Sequence, residues 1–292
     1  MIKTSACVVL YNPGSDIFEN VATYADKVDE FIIVDNSDIQ QKETIDKLKL
    51  LYPKLIYINN NANLGIATAL NIACDTAIKH ECDWILTMDQ DSQFVNFQDY
   101  LHCLQLQANN IGIALLAPNT GRFNNNDIRN HTANCESEEK SSVITSGNFL
   151  NLHVFNSIGR FDDALFIDVV DYDYCLKIQL AECKILFFKN ILLKHQLGDM
   201  YKRKNLITGK IKFKREHNPQ RVYYFARNYL YLASKYGKRI PHEINLLKVF
   251  NIVFIHEITK ILLYEDQKFN KIYAKFVGLF HFLIGKHGKY TL

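Results

Sequence analysis

Short runs of β-branched and apolar residues alternate, over the first two-thirds of the chain, with stretches whose apolar positions recur every three or four residues. Residues 6–11 read as a first strand closed by Asn12-Pro13-Gly14, followed by a helix with Ile17, Val21 and Tyr24 on one side. Residues 31–34 form a second strand ending at Asp35-Asn36-Ser37, 43–51 a second helix, and 55–58 a third strand ending in Asn59-Asn60-Asn61. A helix rich in Ala and Thr follows over 65–78. The apolar run Trp84-Ile85-Leu86 then leads into Thr87-Met88-Asp89-Gln90-Asp91-Ser92. Strands that are apolar throughout, separated by amphipathic helices, predict an α/β fold with a mostly parallel sheet covered on both faces.

Beyond residue 110 the pattern changes. A strand is expected over 111–117, then a polar, Asn-rich loop over 119–142, long enough to suggest a substrate-facing element. Val143-Ile144-Thr145 leads into Ser146-Gly147-Asn148, and a late strand is expected over 184–188. From about Pro219 the chain reads as helical and rich in aromatics, Lys and Arg, with no internal repeat. The expected organisation is a domain over 1–215, with halves at about 1–118 and 119–215, and a helical C-terminal region over 216–292.

With 292 residues, 48% hydrophobic and 22% charged, the chain can bury a full core. The net charge of +3 hides a polarity: residues 1–200 carry 15 Lys/Arg against 26 Asp/Glu, and residues 201–292 carry 19 against 5. The basic part is expected to meet something anionic, such as a membrane surface or a lipid diphosphate. The acidic remainder argues against nucleic acid. Seven scattered cysteines without a C-x-x-C pair exclude a zinc site and read as free thiols in a reducing cytoplasm. No apolar stretch reaches about 18 residues, so no membrane span is expected, and the first residues read as a strand, not a secretory signal. Residues 276–280 and 282–284 are apolar and flanked by Lys271, Lys275, Lys286 and Lys289. This suits a helix lying on an anionic membrane, or one packing its aromatics on the catalytic domain with its lysines solvated.

The candidate chemistry sits at strand ends. Asp89-x-Asp91 delivers two carboxylates to the C-terminal edge of the sheet, where open α/β folds bind ligands. Paired oxygen donors there suit Mg²⁺ or Mn²⁺ holding a diphosphate. Asp35 ends the second strand and could accept from a pyrimidine N–H, or open an Asx-turn with Asn36 and Ser37. Asn63 is placed as an N-cap, with Gly65 allowing close backbone approach. Asp168, Asp171 and Asp173 punctuate an apolar run, and Asp171 falls near a helix start where N–H groups favour its anion. His195 follows an apolar strand. A haloacid dehalogenase-type phosphatase also uses D-x-D after a strand, but Gln93 stands where that class wants Thr or Val.

Taken in order, these motifs resemble those of family 2 glycosyltransferases of the GT-A fold, within them the bacterial rhamnosyltransferase-like group. The match is carried by Val8-Val9-Leu10-Tyr11-Asn12, Val34-Asp35-Asn36-Ser37, Asn60 to Gly65, and Met88-Asp89-Gln90-Asp91-Ser92. It continues through Ser146-Gly147-Asn148, Gly159-Arg160-Phe161-Asp162, Phe166-Ile167-Asp168 to Cys175, His195-Gln196-Leu197-Gly198, and Arg221 to Asn228, spanning roughly residues 5–236. The resemblance implies a Rossmann-like sheet with a helical appendage, and inverting sugar transfer from a dTDP- or UDP-sugar to a saccharide or lipid-linked acceptor in bacterial surface polysaccharide synthesis. It implies Tyr11, Asn12, Asp35, Asn63, Gly65, Asp89 and Gln90 at the donor, Mn²⁺ or Mg²⁺ on Asp89, Asp91 and His195, and Gly147, Asn148 and Asp168 at the acceptor. Asp171 becomes the base. Val170 stands where the family often has an acid, so Asp168 is a second candidate. The form of the D-x-D segment looks like that of dTDP-rhamnose users. Another hexosyltransferase using a UDP-sugar, and a silent sugar-nucleotide-binding relative, remain as alternatives.

Overall fold

A computed structural model describes residues 2–121, 134–195, 200–204, 209 and 211–292. The chain divides into two compact units, one of residues 1–162 and 170–196, the other of 163–169 and 197–292.

In the first unit, β1 (Thr4–Leu10), β2 (Glu30–Asp35), β3 (Ile56–Asn59) and β4 (Trp84–Asp89) lie in the order β3-β2-β1-β4, all parallel. Helices α1 (Ile17–Val21), α2 (Lys42–Leu51) and α3 (Ile66–Lys79) connect them. Parallel neighbours require such crossovers, and every residue of β1 is buried, which is why its centre is apolar on both faces. This half follows the expectation to within a few residues at each boundary.

The rest of the sheet is mixed. After β5 (Ser92–Phe94) and α4 (Phe97–Gln107) come β6 (Ile113–Asn119), β7 (Ser137–Glu139), β8 (Asn148–Asn151), α5 (Leu152–Ile158), α6 (Val170–Leu180) and β9 (Lys184–His195). The sheet continues beyond β4 as β8-β6-β9-β5, with β7 pairing β9. Strand β8 runs antiparallel to both β4 and β6, β5 is antiparallel to β9, and β6 is parallel to β9. The short antiparallel strands escape the sequence pattern because their partners are remote and their runs too brief to show a period. Strand β9 is twelve residues long, well beyond the expected 184–188. The core gathers Trp84, Phe94, Phe97, Tyr100, Phe149 and Phe188, and the Tyr100 hydroxyl donates to the Leu116 carbonyl at 2.6 Å.

Two local expectations are corrected. Helix α3 starts at Ile66 with Gly65 at its N-cap, at φ 88°, and Asn63 instead accepts the Gly65 N–H at 3.0 Å. A positive φ suits glycine, so the turn is made at Gly65 and the Asn63 side chain serves the turn. Cys103 and Cys135 form a disulfide, whereas all seven cysteines had read as free thiols. The two are 32 residues apart, with β6 between them, and no spacing rule links them; the other five are free. The centre of the long loop, residues 122–133, lies outside the described residues, as do Gln196-Leu197-Gly198 of the His195 motif.

The second unit contains the hairpin β10 (Met200–Lys204) and β11 (Ile211–Arg215), then α7 (Pro219–Tyr236), α8 (Leu246–Phe250), a π-helical stretch Asn251–His256, α9 (Glu257–Tyr264) and α10 (Lys268–Leu283). Asn218 caps α7 by accepting the Arg221 N–H at 2.8 Å, with Pro219 at the first helical position. Fully buried Arg227 donates to the carbonyls of Ala164 and Leu165, both at 3.1 Å, and to that of Gly288 at 2.7 Å. Asn228 Nδ2 donates to the carbonyls of Leu165 (2.9 Å), Ile167 (2.8 Å) and Asp168 (3.2 Å). These contacts hold a segment in which Phe166, Asp168 and Val169 adopt φ of 63°, 64° and 56°, costly for non-glycine residues and most of all for valine. Asn228→Leu removes the side-chain donor from three carbonyls, one of them that of buried Leu165, and is expected to cost about 1–3 kcal/mol in urea melts. An unchanged midpoint would dismiss the clamp.

The C-terminal lysines are not all solvated as expected. Lys271 and Lys275 are buried, the first between Glu216 and Glu265, the second over the Phe225 ring at 5.4 Å. Burial pushes the Lys275 ammonium down to about 8, with the neighbouring Glu257 and Glu265 partly offsetting it.

Candidate active site

The site is built at the carboxyl edge of the first unit's parallel strands. Pairing sets Leu10 beside Asp35, Val9 beside Asp89 and Asp35 beside Asn59, so the ends of β1, β2, β3 and β4 share one rim. A concavity of about 810 Å³ lies at the opposite edge against Thr4, Asp29, Asp83 and Trp84. Its acids already accept the N–H groups of Thr4 and Lys3, so volume does not mark the chemistry.

The loops above the rim are tied to each other by side chains. Gln90 holds the end of β1 from both sides, accepting the Tyr11 N–H at 2.8 Å and donating to the Tyr11 carbonyl at 3.2 Å. Asn12, at φ 47°, donates its N–H to Ser37 Oγ at 2.8 Å. Asn36 donates to the Gly65 carbonyl at 3.0 Å and accepts from Asn60 Nδ2 at 2.7 Å. Asp35 is fully buried. Its Oδ1 accepts the Ser37 N–H at 2.9 Å, an Asx-turn, and its Oδ2 accepts the Tyr57 hydroxyl at 2.7 Å. Burial and the Asp35 anion together push the Tyr57 phenol upward, so it stays a donor. The rim thus gathers Tyr11, Asn12, Asp35, Asn63, Gly65 and Gln90 as one hydrogen-bonded group. Tyr57, Asn36 and Ser37 belong to it through their side chains; Asn36 and Ser37 are expected only as the Asx-turn after Asp35, which forms, and Tyr57 only as a strand residue.

Beside the rim stands a candidate cation site. One ligand atom from each of Asp89, Asp91 and His195 lies within 4.8 Å of the others. His195 is brought there by the antiparallel β5–β9 pair, in which Ser92 faces His195 directly. The Asp89 N–H donates to Ser146 Oγ at 3.1 Å, and Ser146 Oγ donates to Ser92 Oγ at 2.9 Å. Ser92 Oγ lies 2.7 Å from His195 Nδ1. His195 Nδ1 also lies 3.4 Å from Asp91 Oδ1, so the imidazole faces both Ser92 and the carboxylate pair. Two carboxylates and one imidazole fit Mn²⁺ or Mg²⁺ and leave positions for diphosphate oxygens and water. The electrostatics agree. Burial pushes Asp89 up to about 6, His195 lowers it, and the anions of Asp91 and Asp171 raise it further.

This shift has a measurable consequence. Asp89 ionises above its ordinary range in the folded chain, so its ionisation costs stability as pH rises from about 4 through 6. A divalent cation that balances the charge recovers that loss. Mn²⁺ is therefore expected to raise the melting temperature strongly at pH 7.5 and weakly at pH 5, with the change centred near 6; a pH-independent increment would refute the assignment.

Asp171 lies in the first turn of α6, its Oδ1 accepting the Tyr172 N–H at 2.8 Å. It lines a small cavity with Thr87, Thr145, Asn148, Tyr174 and Cys175. Asn148 is buried there, and its amide donates to the Ile144 carbonyl at 2.6 Å. Gly147 sits at φ 86° with its N–H on the Thr87 carbonyl, and a Cβ there would come within 2.7 Å of Leu193 and Pro118. Buried Asp173 is paired with Lys177 at 3.1 Å. Asp168 belongs to the second unit and is ion-paired with Arg221. Of the three acids that punctuate the apolar run, Asp168 and Asp173 are thus held by cations.

A mostly parallel sheet whose strand-end loops are tied into one rim, with a D-x-D pair beside a histidine, has the arrangement of the GT-A fold. The chain belongs to glycosyl transferase family 2, whose model matches residues 5–161. It is 26% identical over 265 residues to the dTDP-rhamnosyl transferase RfbF of Shigella flexneri, covering 85% of this chain and 84% of that protein. Its fold is similar to that of the mannosyltransferase PcManGT from Pyrobaculum calidifontis, solved with GDP-Man and Mn²⁺, at a TM-score of 0.56 and 14% identity, covering 97% of this chain and 75% of that one. It is also similar to GalNAc-T7, solved with UDP, GalNAc and Mn²⁺, at a TM-score of 0.57 and 13% identity; 89% of this chain spans 58% of that one, a little over half its length. The chain is a family 2 glycosyltransferase that transfers a sugar from a nucleotide sugar.

Proposed function

We propose that the chain transfers L-rhamnose from dTDP-rhamnose, with inversion, to a saccharide or lipid-linked saccharide in bacterial surface polysaccharide synthesis. The observation that carries the reading is the convergence of Asp89, Asp91 and His195 beside a tied donor rim. The identity to a dTDP-rhamnosyl transferase along most of both chains supports the donor. Asp35 and Tyr57 would meet the base, with Tyr11, Asn12, Asn63, Gly65 and Gln90 around the rest of the nucleotide. Asp89, Asp91 and His195 would hold Mn²⁺ or Mg²⁺, which when bound neutralises the departing diphosphate.

Asp171 would take the proton of the acceptor hydroxyl as its oxygen attacks the anomeric carbon and the bond to the diphosphate breaks. The nearness of Asp171 to Asp89, on whose charge it acts, supports Asp171 over the second candidate. Gly147 and Asn148 would shape the floor beneath the acceptor, being buried themselves. The enzyme would work in the cytoplasm, peripherally at the membrane face where lipid-linked acceptors lie. A UDP-sugar donor is the competing reading, because both nucleotides present the same pyrimidine edge.

The test is a transfer assay with dTDP-rhamnose and UDP-hexoses in Mn²⁺, paired with thermal shifts for dTDP, UDP, GDP and CMP. Metal-dependent stabilisation by dTDP and rhamnosyl transfer are expected. UDP-sugar turnover alone would overturn the donor, and no metal-dependent stabilisation by any nucleotide would overturn the site.

A further inference from the structure

Helix α10 is turned inside out. Phe269, Tyr273, Phe276, Phe280 and Leu283 recur at intervals of four, three, four and three, one stripe along a helix, and they are 54–90% exposed. The other side carries Lys271, Lys275 and His281, exposed by 6% or less. The inward polar groups are provided for. Lys271 sits between Glu216 and Glu265, Lys275 lies over the Phe225 ring, and His281 Nδ1 meets the Tyr223 hydroxyl at 2.9 Å. Gly278 allows α10 to press against α7, where an added Cβ would come within 2.9 Å of the Tyr223 carbonyl. The helix is therefore held in this orientation by specific partners, and its apolar stripe is left facing outward.

The stripe extends sideways. Phe276 contacts Phe254, which stacks on Phe250, itself half-exposed, and Leu247 and Ile255 are exposed in the same α8 and π-helical stretch. Exposed apolar side chains gathered along α10 and α8 in this way mark an interaction site.

Charge selects its occupant. Residues 201–292 hold 19 Lys/Arg against 5 Asp/Glu, and Lys238, Arg239, Lys248, Lys286 and Lys289 are exposed. Two copies docked through this unit would set like-charged surfaces against each other, whereas an anionic leaflet attracts the cations and receives the stripe. We propose that the outward face of α10, with Leu247, Phe250 and Ile255, docks in the interfacial layer of an anionic phospholipid membrane. No helix among the described residues is long and apolar enough to cross a membrane, so the contact is one of lying on the surface. The inference deepens the peripheral location given under Proposed function and rests on it only for the side of the membrane.

The test is flotation of the full chain, without donor or metal, on phosphatidylcholine vesicles with and without phosphatidylglycerol. Binding is expected only with phosphatidylglycerol, weakening as salt rises. The triple variant F269S/F276S/F280S is expected to lose binding by roughly tenfold or more, with an undiminished melting temperature and unchanged transfer to a soluble saccharide. Wild-type protein that floats with neither vesicle, or a folded triple variant that binds as well as wild type, would overturn the proposal. So would a lipid-free dimer in analytical ultracentrifugation that the triple variant dissociates, since a second copy would then be the occupant. Vesicle binding by a protein that transfers no sugar would support the docking surface and count against the enzymatic reading alone.

Discussion

Asp91→Ala is expected to cost on the order of a thousandfold or more in transfer, with no loss of melting temperature for the metal-free protein. A divalent clamp on a departing diphosphate is worth several kcal/mol, and about 4 kcal/mol corresponds to a thousandfold. Asp91 is partly exposed, and its anion raises the neighbouring Asp89, so its removal relieves a like-charge contact. The same variant should lose the joint stabilisation by Mn²⁺ and dTDP in a thermal-shift panel. Retention of that stabilisation, or of near-normal transfer, would remove Asp91 from the site.

Asp171→Asn is expected to separate chemistry from donor binding. Loss of a general base costs roughly 10²–10⁴-fold, and the amide still accepts the Tyr172 N–H through its oxygen, so α6 should keep its start. Transfer should collapse while dTDP and Mn²⁺ stabilise the variant as they do wild type. Asp168→Asn should show the reverse balance, weakening the ion pair with Arg221 and lowering stability with a smaller loss of transfer. Should Asp168→Asn abolish turnover at unchanged melting temperature while Asp171→Asn does not, the base is Asp168.

Much of the rim at the strand ends is legible in the sequence. Asp35 and Asp89 end apolar runs, and in a parallel α/β sheet the ends of such runs must share one edge. The order of Asn60 to Gly65 and Asp89 to Ser92 along the chain therefore placed them together. Less legible were the roles within the rim. Asn63 read as the helix cap and proved to serve the Gly65 turn, since glycine at φ 88° takes the cap position. Tyr57 showed no signal beyond its strand, yet its hydroxyl meets Asp35. Ser146 and Ser92 stood in recognised motifs, but the hydrogen bonds carrying them to His195 join residues 54 and 103 apart.

The sequence by itself determined the parallel half of the sheet, because strands buried on both faces must be apolar throughout and amphipathic helices must connect them. It also placed the acids at the strand ends, and it marked residues 276–280 and 282–284 as apolar. Only the tertiary structure set His195 beside Asp91, through the β5–β9 register, and joined Cys103 to Cys135. Only the tertiary structure turned the α10 stripe outward, with Lys271 drawn in by Glu216, 55 residues away. Local periodicity states which residues share a face. Which face finds a partner depends on interactions between residues remote along the chain, and these leave no period to read.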